Sequence, residues 1–234
     1  MRRALTVLGL LGVAAAPVFA DGGSIEGVIT YAADAPAPEM KDVPADKQGD
    51  CGMKVPIEEL VVDAASKGIK YAVVYIDKAP KSEAKPGTKI VLDQKSCNFM
   101  PHITVAQVGA TVDFANTDKA SHNVNVKALK NKAFNRQITA GGAPIEWTAE
   151  AAENVQVVCD IHPWMKSYLV VKDHPYVAIT DEKGAFKIDG VPPGEYTVKC
   201  WHEKLGIQVK EGVKVKVEAG KAAKAEIPAL KPKS

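Results

Sequence analysis

Residues 102–116 read HITVAQVGATVDFAN. The run is a strand, a turn at Gly109 and a second strand in which Val112 and Phe114 alternate with Thr111 and Asp113. A two-residue repeat of this kind belongs to a strand with one face in a core and the other in water. Working outward, nearly every segment after residue 21 has the same texture. Short runs of β-branched and aromatic residues are separated by Gly, Pro, Asn and Asp, and almost none carries an amphipathic helical period. The fold class this predicts is all-β.

Upstream, SIEGVITYA (24–32), KYAVVYID (70–77) and KIVLD (89–93) are predicted strands. A Pro-rich connection from Ala35 to Pro44 cannot join a central ladder, and a short helix is expected around Pro56 to Ala65. Downstream, Val155 to Val158 and Ser167 to Val171 are expected to be strands flanking a loop. From Tyr176 the chain reads YVAITDEKGAFKIDGVPPGEYTVKCWHE, with hairpin-like turns at Asp181–Gly184 and Val191–Gly194. Later, Val213, Val215 and Val217 alternate with Lys214 and Lys216, the mark of a strand with one wet face. This last part predicts a second small β-sandwich, followed by a solvated Lys-rich tail after Lys221.

The chain opens MRRALTVLGLLGVAAAPVFA. Arg2 and Arg3, the apolar run Ala4–Ala16 and the small-residue end at Val18-Phe19-Ala20 read as a secretory signal peptide over 1–20, cut before Asp21. The expected product is a periplasmic or otherwise exported protein that does not span a membrane. Of 30 Lys+Arg and 28 Asp+Glu, the segment removes two arginines and no acid, leaving 28 against 28. Without a basic excess or basic runs interleaved with aromatics, nucleic acid is not an expected partner.

The chemistry lies in VVCDIHPWMKSYLVV (157–171), where a thiol, an imidazole and a thioether recur every three residues at Cys159, His162 and Met165. On a strict strand these would not converge. They do converge if Asp160–Trp164 form a tight loop between two strands, which Pro163 favours. A thiolate, imidazoles and a weak axial thioether form the ligand set that suits copper in both of its oxidation states. His122, in KASHNVNV, follows a strand and its turn and precedes another, which makes it the candidate for the remaining strong ligand. Four cysteines in an exported chain first suggest two disulfides. If Cys159 binds metal, however, Cys51, Cys97 and Cys200 cannot all pair within one chain. The pairing favoured here is Cys51 with Cys97, leaving Cys200 a buried thiol.

ASHNV followed downstream by CDIHPWMKSYLVV resembles the type 1 blue copper site of the cupredoxins, with the ligand spacing of the amicyanins, over roughly Lys89–Lys172. The resemblance implies His122 and His162 as nitrogen ligands with an exposed ring edge, Cys159 as thiolate and Met165 as long axial ligand. It also implies Asn123 as the residue behind the ligands that ties their two loops together. The segment from Tyr176 resembles the carboxypeptidase-regulatory or transthyretin-like sandwich, and GSIEGVITY resembles the first strand of the same kind of domain. The expected organisation is therefore an amino-terminal β region (21–88), a copper domain (89–172) and a second sandwich (173–230). In it, the copper domain is inserted into a host built from both ends of the chain.

Two features depart from the cupredoxin pattern: Val157 and Val158 stand where relatives often carry an aromatic, and His102 adds an imidazole. A single His at the start of a strand reads as structural; Cys97, five residues earlier, makes an additional metal site with His102 the alternative. Trp164 reads equally as a docking aromatic or as packing beneath the loop. Trp147 and Trp201 are expected in cores, His202 in packing or a buried hydrogen bond on the face of Tyr196, Val198 and Cys200, and His174 in a linker. The predicted function is single-electron transfer by one type 1 copper centre to a redox protein partner, with copper storage or delivery as the alternative. The dense His pairs of copper enzymes are missing, so no catalysis is expected.

Overall fold

The computed structural model describes residues 22–232, so the predicted signal peptide and its cleavage point lie outside the described residues. The described chain is almost entirely β, in four principal sheets that enclose two cores.

The first core lies between a five-stranded and a four-stranded sheet. The five-stranded sheet runs, edge to edge, Phe134–Ile138, His122–Lys127, Glu153–Val158, Lys166–Lys172, Ile103–Gln107. The four-stranded one runs Ile145–Thr148, Thr111–Asn116, Lys89–Lys95, Asn98–Met100. Within Thr111–Asn116 burial alternates, so Val112 and Phe114 point inward, as their spacing predicts. Phe114 packs edge-on against Phe134 and Trp147, with centroids 5.5 and 6.4 Å apart, the arrangement that the charge distribution of aromatic rings favours.

The second core lies between sheets that draw strands from both ends of the chain. Gly23–Val28 pairs antiparallel with Ala185–Val191 and parallel with Ala222–Lys224. Val73–Asp77 sits between Val177–Ile179 and Gly194–Trp201, with Val213–Val217 beyond. Ile25, Ile29, Val74, Ile76, Phe186, Ile188 and Val198 fill the space between. Gly184 ends the turn that feeds this core at φ 76°, where an added Cβ would lie 2.3 Å from the Ile29 carbonyl oxygen.

The two sandwiches meet along a seam of Val73, Ile103 and Val170, flanked by Tyr75, Tyr168 and Trp201. Lys166–Lys172 is consequently covered on both faces: Leu169 and Val171 face the first core and Val170 the seam. That explains the unbroken apolar run LVV, since a strand buried on both faces loses its alternation.

Three expectations need correction. No helix forms over 56–65: Lys54–Ile57 is a strand paired with Glu39–Asp42, and the Asp63 carboxylate accepts from the backbone N–H and hydroxyl of Ser66 to form a turn. The helical residues lie earlier, over 45–51, and stop at Gly52 with φ 74°. His174 is not a linker residue: it is buried, stacked on Tyr176, and its Nδ1 accepts from the Tyr176 N–H. Trp201 belongs to the seam, edge-on to Tyr168, and not to either core. No helix among the described residues is long and apolar enough to cross a membrane.

Candidate metal centre

Strand phase brings the candidate ligands together. His122 has the inward phase of Val124 and Val126, Cys159 continues that of Val155 and Val157, and Met165 leads that of Ser167, Leu169 and Val171. The three strands are adjacent, with Val158 opposite both Asn125 and Lys166, so the inward positions at one end of the sheet converge. The Cys159 N–H donates to the Met165 carbonyl (3.1 Å) and the Met165 N–H to the His162 carbonyl (2.8 Å), closing the loop that carries His162 back over the sheet end.

His122 Nδ1 lies 2.9 Å from His162 Nδ1, and Cys159 Sγ 3.7 Å from the latter. All three ligand atoms fall within 4.8 Å of one another. His122, His162, Cys159 and Met165 are all buried, and Met165 shares the core cluster of Cys159.

Asn123 joins the two loops. Its Oδ1 accepts from the Asp160 N–H (2.6 Å), the Ile161 N–H (3.3 Å) and the Cys159 thiol (3.2 Å). Its Nδ2 donates to Asn135 and to the Asp160 carboxylate. The amides of Asn125 and Asn135, with that of Asn123, hold Asp160 below the usual carboxylate range.

Asp118, which the sequence reading passed over, orients His122. Burial pushes its pKa up, but the Cys97 N–H (2.6 Å) and His122 Nε2 (3.0 Å) outweigh this and keep it below the usual range. An ionised carboxylate can only accept, so His122 Nε2 carries the proton and Nδ1 turns its lone pair toward His162 and Cys159. The available signal was an acid four residues before a candidate ligand, in TDKASH.

His162 is 2% exposed, which corrects the expectation of an exposed ring edge. Burial first, then the neighbouring His122 and the Lys47 charge, bring its pKa down to about 4 against the opposing Asp118 and Asp50. The ring is therefore neutral at neutral pH, the state that ligates metal. Lys47 and Asp50 belong to the turn between the strands Glu39–Asp42 and Lys54–Ile57, and Cys51 at the end of that turn is disulfide-bonded to Cys97. The disulfide fastens this hairpin beside the ligand loop. Trp164 is half-buried, 5.2 Å from the His162 ring by centroids, and its Nε1 donates to the Cys97 carbonyl.

The alternative metal pair of Cys97 and His102 is not assembled. Cys97 is committed to the disulfide, and His102 contacts Glu203, which also pairs with Lys166 at the seam. His202 is buried, with Nδ1 accepting from the Lys204 N–H and Nε2 unpartnered. Cys200 is a buried thiol whose pKa burial pushes up to about 12, a chemically quiet group. A surface cleft of about 600 Å³ lined by Lys81, Glu83, Val108 and Glu150 carries no imidazole or thiol.

The family described as polysaccharide lyase family 4, domain II, matches residues 149–225, about a third of the chain. No curated protein sequence matches. Among solved structures, amicyanin from Paracoccus versutus (Thiobacillus versutus) is 19% identical, covering 42% of this chain and 97% of its own at a TM-score of 0.33. The purple cupredoxin from Nitrosopumilus maritimus is 22% identical, covering 36% and 99% at a TM-score of 0.31. The Cu-containing nitrite reductase from Thermus scotoductus SA-01 is 21% identical over 41% of this chain at a TM-score of 0.35, and the chain spans a quarter of its length.

Proposed function

We propose that this chain is an exported, periplasmic protein that carries single electrons on one type 1 copper ion held by His122, Cys159, His162 and Met165. The observation that carries this reading is the convergence of His122 Nδ1, His162 Nδ1 and Cys159 Sγ within 4.8 Å in a buried pocket. The donor set fits copper: a soft thiolate, two neutral imidazoles and a thioether favour an ion that cycles between Cu(I) and Cu(II). Bound there, copper would supply a one-electron couple.

The protein's own part is to hold the donors still. Asp118 fixes the His122 tautomer, Asn123 clamps the Cys159 loop, and the close-packed core below resists the displacement that a change of ligand geometry would need. Burial of all four donors shields them from water, which supports electron transfer over catalysis. Beside the centre, Ile161 is 36% exposed and offers apolar surface to a redox protein partner. The hairpin over His162 favours a second reading, copper storage or delivery, because it would hold the ion while closed and release it on opening.

Reductive and oxidative titration of the copper-loaded protein in the presence of an apo copper acceptor separates the two. Electron carriage predicts repeated reversible cycling with copper retained. Transfer of the metal to the acceptor within the first cycles would replace it with delivery.

A further inference from the structure

The Cys51–Cys97 disulfide lies against the candidate centre, and the two sulfurs and a His162 ring nitrogen fall within 4.8 Å of one another. Cys51 is the less buried of the two half-cystines and Cys97 is fully buried, so an external thiol would attack the bond at Cys51. The sequence on either side of the disulfide points to a soft metal. Besides Met165, the described residues contain Met40, Met53 and Met100, and these are 50, 74 and 50% exposed, although methionine is ordinarily a buried residue. Met53 stands two residues after Cys51 and Met100 three after Cys97, so exposed thioethers flank both half-cystines. Thiolates and thioethers select Cu(I).

We propose that Cys51 and Cys97, once reduced, form with His162 a Cu(I) loading site that shares His162 with the main centre, with Met53 and Met100 as the outer capture ligands. A dithiol reductant delivers two electrons and two protons to the Cys51–Cys97 bond and leaves as its own disulfide. Cu(I) then binds without changing oxidation state, and the thiol protons pass to solvent. Because His162 belongs to both sets, the ion moves inward by exchanging the Cys51 and Cys97 sulfurs for Cys159 and His122 without ever being free. A disulfide oxidant then takes two electrons from the Cys51 and Cys97 thiolates and two protons from solvent and leaves as a dithiol, and the re-formed bond removes the outer donors and fastens the hairpin over the filled centre. The inward transfer rests on the copper reading above; the dithiol site does not.

The test uses the full mature chain carrying Cys159→Ser, which disables the main centre and keeps His162. It is titrated with Cu(I) against a chromogenic Cu(I) chelator before and after treatment with a trialkylphosphine, which becomes its oxide. The proposal predicts one additional Cu(I) per chain only after reduction, lost when Cys51→Ser and Cys97→Ser are added. Equal uptake before and after reduction overturns it. Should the triple variant fail to fold, copper-edge X-ray absorption of the reduced Cys159→Ser protein reads the donors directly. Two sulfurs and a nitrogen are expected, and a shell of nitrogen and oxygen alone overturns the site. The colour of oxidised wild type with Cu(II) does not involve Cys51 or Cys97. A blue wild type lacking the reduction-dependent site therefore removes this inference alone, and a colourless wild type possessing it removes the main centre alone.

Discussion

Replacing Asp118 separates its two jobs. Its Oδ2 accepts from the buried Cys97 N–H at 2.6 Å and faces His122 Nε2 at 3.0 Å. Asp118→Asn keeps an oxygen for both contacts and removes the charge together with the acceptor of the exposed Lys119 N–H. Asp118→Ala removes the oxygen as well and strands the Cys97 amide, which sits in a fully buried residue. Loss of a carboxylate behind a ligating imidazole typically weakens metal affinity by about 10- to 100-fold, or roughly 1.4 to 2.7 kcal/mol. Stranding a buried donor costs about 1 to 3 kcal/mol of stability. Both variants should therefore lose Cu(II) affinity by about 10- to 100-fold in chelator competition, while only Asp118→Ala should lose the 1 to 3 kcal/mol in urea unfolding of the metal-free protein. If Asp118→Asn binds copper as tightly as wild type, the charge of Asp118 does not strengthen His122 as a ligand. If the Ala variant is as stable as the Asn variant, the Cys97 contact contributes nothing.

Phe114→Ala removes a fully buried ring from beneath Trp147 and Phe134 and should cost about 3 to 5 kcal/mol in urea unfolding; a loss under 1 kcal/mol would contradict that packing. Gly184→Ala puts a Cβ at φ 76° against the Ile29 carbonyl and should destabilise by more than about 1 kcal/mol, read as a lower thermal midpoint. His162 and His202 both have pKa values lowered by burial to about 4 from 6.5. The unfolded chain thus binds more protons between those values, so the contribution of these two histidines to metal-free stability is full above pH 6.5 and is lost as pH drops toward 4. Urea midpoints at pH 7.5, 6 and 5 check this, and a midpoint that rises on acidification would refute it.

The strands were legible wherever one face is wet, as in Thr111–Asn116, because alternation records burial directly. They were equally legible at the ligand loop, where Cys, His and Met have few bland explanations at that spacing. What lies over the loop was not legible. The disulfide pairing could be preferred from composition, but nothing in the spacing of Cys51 shows that its hairpin covers His162, because that depends on a contact between distant parts of the chain. Asp118 was missed for a related reason: its partners are a backbone N–H twenty-one residues away and an imidazole, and neither leaves a periodic trace. Pro56 misled the helix expectation, since proline suits a helix start as well as the strand of an exposed hairpin.

The central claim is that Cys159 is a copper thiolate ligand between His122 and His162. Its most direct test adds Cu(II) to the oxidised protein and records visible absorption and electron paramagnetic resonance, with Cys159→Ser alongside. The account predicts an intense thiolate-to-copper band and a narrow copper hyperfine splitting, both lost in the variant. A colourless protein, or an ordinary wide splitting that is unchanged by Cys159→Ser, would contradict it.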